Sequence, residues 1–139
     1  MSAHVKEKHE KLTKLMAELA EESANGTPII VEGKKDLDAL RAADITGPVL
    51  TLKTGGKTFT DALREIENTG ATEVILFMDF DRRGKENTRR LKQDLEHAGV
   101  SPNLKFWQAL SALLQREIQC IESLTSCMEN LRKRADVTV

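Results

Sequence analysis

The sequence predicts an α/β fold: a central parallel sheet of about four strands flanked by helices, with helical extensions at both ends. Three observations carry that prediction. Runs such as PIIV (28–31) and VILFM (74–78) are apolar at successive positions, so both sides of each strand meet oily neighbours. These runs alternate with stretches of helical period, the pattern of a sheet covered on both faces. Acidic or glycine-rich residues follow the runs at once, and in parallel sheets the working groups gather where strands end.

Residues 3–24 read as a helix, with Val5, Leu12, Leu15, Met16 and Leu19 at three- and four-residue spacings. NGTP (25–28) stops it, Gly26 serving as a cap and Pro28 barring continuation. The strand at 28–33 leads into a helix over 34–44, with Leu37 and Leu40 inward. GPVLTLKTGG (47–56) supplies a second strand, and 57–70 a helix capped by Thr58 with Asp61 three residues on. TEVILFMDF (72–80) is the longest strand, and 84–99 an amphipathic helix burying Thr88, Leu91, Leu95 and Ala98. A short last strand falls within 100–107, weakened by Pro102. From Trp107 to Arg134 the period is helical again, as one helix or as two with a break at IESLTSC. The expected organisation is a single domain, 1–139: a core over 28–106, an N-terminal helix in 1–25 and a C-terminal helical extension over 107–134.

A net charge of −1 provides no broad basic field for nucleic acid, though it leaves room for a local basic patch. No apolar run approaches the ~20 residues that span a bilayer. The charged start, MSAHVKEKHEK, lacks a signal-peptide core, so the expectation is a cytoplasmic protein with no membrane association. Cys120 and Cys127, seven apart on an apparent helix, would lie ~10 Å apart along its axis, too far for a disulfide within that helix. They read as reduced packing residues.

Glu32 follows the first strand, and Asp79 and Asp81 follow the third. Together they make a hard, oxygen-rich set suited to Mg²⁺ or Mn²⁺. VEGKKD followed by VILFMDFDRRG resembles the Toprim domain, whose signature is a glutamate after the first strand and Asp-x-Asp after a later one. EGKKD, with Asp36 in support, is most similar to the branch of the 5S ribosomal RNA maturation nuclease, and LKTGG resembles the loop after the family's second strand. The resemblance implies a Rossmann-like Toprim fold and Mg²⁺-dependent phosphoryl transfer. It casts Glu32, Asp79 and Asp81 as both catalytic and metal-holding, the glutamate moving protons and the aspartates binding metal. Gly33, Lys34, Lys53, Gly55, Gly56, Lys57, Arg82, Arg83, Gly84 and Lys85 are the expected phosphate and nucleic-acid contacts.

Composition narrows the family. The chain contains no tyrosine, the nucleophile of Toprim topoisomerases. Its two cysteines cannot build the zinc modules usual in primases and RecR-type proteins. TGGKT (54–58) is too short for a P-loop. The expected function is thus a small Toprim nuclease acting on RNA or DNA. One alternative is a non-catalytic nucleic-acid-binding subunit, with a protein partner or a second copy docked on the terminal helices. The other is a phosphatase of the haloacid dehalogenase type, which ILFMDFDRRG also resembles although that family's motif sits on the first strand.

Overall fold

A computed structural model describes residues 2–53, 56 and 58–137, without the side chains of Ser2, Asp136 and Val137. Four short strands form one parallel sheet: β1 (Ile29–Val31), β2 (Val49–Thr51), β3 (Glu73–Leu76) and β4 (Ser101–Asn103). The helices among the described residues are α1 (Ser2–Ala24), α2 (Lys34–Ala42), α3 (Phe59–Asn68), α4 (Arg82–His97), α5 (Lys105–Leu114) and α6 (Leu124–Val137), with a 3₁₀ turn at Ile121–Ser123. None of them is long and apolar enough to cross a membrane.

Local chemistry sets several boundaries. Gly26, at φ +100°, takes the left-handed conformation that closes α1. Thr58 and Asp61 exchange bonds at the start of α3: the Asp61 N–H donates to Thr58 Oγ1 (3.1 Å) and the Thr58 N–H to Asp61 Oδ2 (3.0 Å). α4 begins two residues before the expected position because the Asp81 carboxylate caps it, accepting from the Gly84 N–H at 2.8 Å. β3 is shorter than the apolar run that encodes it, yet the Phe77 N–H still donates to the Ile30 carbonyl at 2.9 Å. Pro102 is accommodated because β4 is an edge strand.

The strand order β2-β1-β3-β4 decides where a site can form. From β1 the chain moves outward through α2 to β2; from β3 it moves the opposite way through α4 to β4. Right-handed crossovers running in opposite directions put their helices on opposite faces. A crevice therefore opens between β1 and β3, at the carboxyl ends of both strands.

Side chains alternate across the sheet as the pleat requires. Ile29, Val31, Ile75 and Phe77 pack with α1, α2, α5 and α6 residues such as Leu19, Leu40, Leu110 and Leu131. Ile30, Val74, Leu76 and Met78 pack with Ala62, Ile66, Leu91 and Leu95 of α3 and α4. The apolar stripes of the terminal helices are covered: Leu12, Leu15, Met16 and Leu19 are buried, as are Leu114, Ile118, Ile121 and Leu124, with Met128 packed against the same cluster.

The expected break in the last helical stretch is present, and it comes earlier than IESLTSC. α5 ends at Leu114 and α6 starts at Leu124, so Cys120 is not on the helix that carries Cys127. Both thiols are free. Leu19, which has no exposed surface, joins α1 to this core. Leu19→Ala is expected to cost about 2–5 kcal/mol of stability, read as a lower urea midpoint with an unchanged slope.

Candidate functional site

Glu32 is the first residue after β1, and Asp79 stands three residues past the end of β3. Parallel pairing aligns Ile29 with Ile75 and Ile30 with Leu76, so both acids emerge on one rim, in the crevice between the strands. There the two carboxylates come close enough to shift each other's proton affinity, with the Asp79 main chain beside Glu32. Glu32 is only 9% exposed. Two carboxylates so close and so shielded cannot both carry full charge cheaply, and a shared proton relieves them.

The surroundings decide which acid keeps that proton. Burial pushes Glu32 up, but the bond from Asp79, the Asn87 amide, the Lys53 charge and the Asp79 N–H together outweigh it and hold Glu32 below its ordinary value. Asn87 Nδ2 donates to Glu32 Oε1 at 2.7 Å from α4. Asp79 is pushed from 3.8 up to about 8, first by burial, then by its bond to Glu32 and the charges of Asp36 and Glu32. The Ile121 N–H, 2.9 Å from Asp79 Oδ1, opposes that rise. Burial and proximity thus favour a proton on the pair, with Asp79 raised and Glu32 lowered.

Asp36 closes the near side. Its Oδ2 accepts from the Gly33 N–H at 3.1 Å, at the start of α2. Burial and the charges of Glu32 and Glu122 raise its pKa. Cys120 sits beside the same acids; burial, with Asp79, Glu122, Asp81 and Asp36, raises its thiol. That thiol is poorly suited to act as a nucleophile.

Asp81 takes a different place from the other two acids. It is exposed at the N-cap of α4, engaged by Gly84, with no hydrogen bond to the Glu32–Asp79 pair. Gly84 is buried because α4 starts against the Asp79 backbone: a Cβ there would lie 2.1 Å from the Asp79 carbonyl oxygen. Its N–H is already held by Asp81, so its structural part is close packing rather than an open donor.

Lys34, Lys53, Arg82, Arg83 and Lys85 are exposed on segments that follow strand ends at this rim, and Arg82 pairs with Glu86 at 3.3 Å. Gly33 caps α2, and Gly56 has φ +73°. Gly55 and Lys57 lie outside the described residues.

Among the described residues no three His, Cys, Asp or Glu side chains stand in metal-holding geometry. The chemistry of the pair nonetheless fits a hard divalent cation. Glu32 and Asp79 offer carboxylate oxygens bridged by a proton that a cation would replace, and Mg²⁺ is commonly held by one or two carboxylates plus water. Asn87 and the Ile121 amide are the participants that sequence reading missed. Asn87 stands eight residues past Asp79, two turns into α4, a spacing that could have flagged it; a main-chain N–H leaves no sequence signal.

A Toprim domain family profile matches residues 26–104. The chain is 34% identical over 129 residues to a UPF0292 protein of Methanosarcina acetivorans, covering 93% of this chain and 88% of that one. It is 35% identical over 118 residues to a UPF0292 protein of Methanocaldococcus jannaschii, covering 84% and 89% respectively. The solved structure of a protein from Aquifex aeolicus superposes with a TM-score of 0.67 at 28% identity, over 81% of this chain and 96% of that chain.

The raised pKa of Asp79 gives a signed pH dependence. Between 3.8 and about 8 the folded protein binds this proton more tightly than the unfolded chain does, so its contribution to stability falls as pH rises through that window. Without divalent metal, Asp79→Asn is expected to flatten the decline and to melt above wild type at pH 9. Thermal melts across the range check this, and a variant curve parallel to wild type would contradict it. Gly84→Ala should lower stability by about 1–3 kcal/mol, seen in the same melts, because α4 must back away from Asp79.

Proposed function

Because the chain belongs to the Toprim domain family and stands among the UPF0292 proteins, we propose that it is a small metal-dependent nuclease working at the Glu32–Asp79 crevice. Family membership implies a metal-dependent function related to nucleic acid. The reading is finer than that, extending to phosphodiester hydrolysis in RNA processing or DNA repair, with the 5S ribosomal RNA maturation nuclease as its nearest kind. It treats the chain as one domain whose terminal helices close over the Toprim core. The observation that carries it is the proton-sharing carboxylate pair at the point where the strand order reverses.

Glu32 and Asp79 would hold Mg²⁺ or Mn²⁺, which would supply neutralisation of charge on a phosphodiester oxygen. This chain's own groups account for the rest. Glu32, oriented by Asn87 and kept ionised by its donors, is placed to accept a proton from an attacking water. Lys34, Lys53, Arg83 and Lys85, and Arg82 on giving up its exposed pairing with Glu86, are placed to meet backbone phosphates around the crevice. The burial that raises Asp79 would also strengthen every charge interaction made there.

A second reading has its own support. Only two of the three acids are joined, and Asp81 serves as a helix cap, which suits a nucleic-acid-binding subunit that holds metal without cutting. A protein partner or second copy on the terminal helices would meet their outward faces, since most of their apolar stripes are buried. The haloacid dehalogenase reading is set aside: family membership and the position of Asp79 after the third strand both favour Toprim.

Mg²⁺-dependent cleavage of a panel of labelled RNAs and DNAs tests the nuclease. Wild type is expected to cut at least one substrate class, and Glu32→Gln to abolish cleavage while keeping much of the metal response. Metal binding with no cleavage anywhere on the panel would favour the subunit. At a hundred times Kd, Mg²⁺ or Mn²⁺ should stabilise the fold by about 2.7 kcal/mol. Asp79→Asn should remove that increment. Arg83→Ala is expected to weaken nucleic-acid binding and reduce its salt slope by about 1, with the metal response unchanged.

A further inference from the structure

The acids of the site all come from the core, but one segment beyond it reaches into the crevice. Between α5 and α6 the chain passes over the rim and bonds to it through two main-chain groups. The Gln119 carbonyl accepts from the Phe80 N–H at 2.8 Å. The Ile121 N–H donates to Asp79 Oδ1 at 2.9 Å. On either side the segment is anchored by the core, with Ile118 at 8% exposure and Ile121 at 0%. α5 adds the Trp107 indole N–H, which donates to the Met78 carbonyl at 2.8 Å, one residue before Asp79.

We infer that the main-chain N–H of Ile121 is a positioning donor for Asp79, so that the C-terminal segment completes the metal-binding site. The inference rests on the metal-dependent reading above. A carboxylate on a flexible loop turns freely about its side-chain torsions. A fixed amide at one oxygen stops that turning and leaves the rest of the group to Glu32 and to a cation. The donor is itself rigid, because the Ile121 side chain is locked in the core and the neighbouring carbonyl is bonded to Phe80. Asp79 has moved off the end of β3 by this point, so the sheet ladder no longer holds it. The segment does that work instead, and the Toprim profile ends before the segment begins.

The donor can be deleted on its own. Ile121 opens the 3₁₀ turn, a position where proline is tolerated, and Cys120 before it has φ −121° and ψ 140°, the extended conformation a residue before proline adopts. Ile121→Pro therefore removes the N–H with little change of backbone. Ile121→Ala is the control: it takes away more side chain and keeps the donor. Mn²⁺ affinity is read from the free-ion electron paramagnetic resonance signal of each metal-free protein, folding being checked by circular dichroism. The expected result is about tenfold weaker Mn²⁺ binding for Ile121→Pro than for Ile121→Ala, the loss typical of removing a group that orients a metal ligand. Equal affinities would overturn the inference while leaving the metal reading intact. Failure of the wild type to bind Mn²⁺ would overturn both. Should Ile121→Pro not fold, amide hydrogen exchange of the wild type decides. Mg²⁺ is expected to slow exchange at Ile121, and Asp79→Ala to speed it selectively there. Faster exchange on adding Mg²⁺ would mean that the ion displaces the amide, and would overturn the inference.

Discussion

The close approach of the Glu32 and Asp79 carboxylates is the constraint on which this site depends. Two acids meet there because β1 and β3 run parallel and side by side, so both strands end at the same height. Either acid alone could turn toward water. Together, and largely shielded, they need a proton or a cation between them. The neighbourhood is graded accordingly: Glu32 receives donors from Asn87 and from the Asp79 backbone, with the Lys53 charge nearby, whereas Asp79 receives the Ile121 amide against the charges of Glu32 and Asp36. The result is an unequal pair, Glu32 lowered and Asp79 raised, and unequal environments divide roles between carboxylates in general.

Close approach makes the pair possible. α4 carries Asn87 to Glu32, and it can start against the Asp79 carbonyl only because Gly84 has no side chain. The Asp81 cap sets the first turn of that helix. Thus one of the three signature acids builds the element that orients another. On the opposite side the chain between α5 and α6 supplies the Ile121 amide to Asp79, so the crevice is walled by core and C-terminal segment alike. An account of the site confined to the Toprim match would leave out that wall.

Charge around the crevice is local rather than global. A net charge of −1 provides no long-range pull on a polyanion, yet exposed Lys34, Lys53, Arg82, Arg83 and Lys85 follow the strand ends beside the acids. Such a distribution favours engagement of a few phosphates near the site over broad nonspecific coating. It also sets basic groups against a buried acidic pair, an arrangement in which a divalent cation and a phosphate would each offset the other's charge.

The class of fold and the order of its elements are legible in the sequence, as is the placing of Glu32 and Asp79 just past strand ends. Those properties are written in local period and in residue type: PIIV and VILFM as two-sided strands, Thr58 with Asp61 as a cap, Glu32 and Asp79 as the residues that follow strands. The expected parallel sheet, helical flanks and terminal helices are present, with β3 shorter and α4 starting earlier than the pattern implied. Tertiary structure alone decided how the acids divide. Period does not say that Asp81 turns to the Gly84 amide while Asp79 turns to Glu32, because that depends on how closely α4 approaches β3. Nor does the helical pattern from Trp107 to Arg134 say where it breaks. The break lies where main-chain groups of Gln119 and Ile121 bond to Phe80 and Asp79, and a main-chain group is the same whatever side chain it carries.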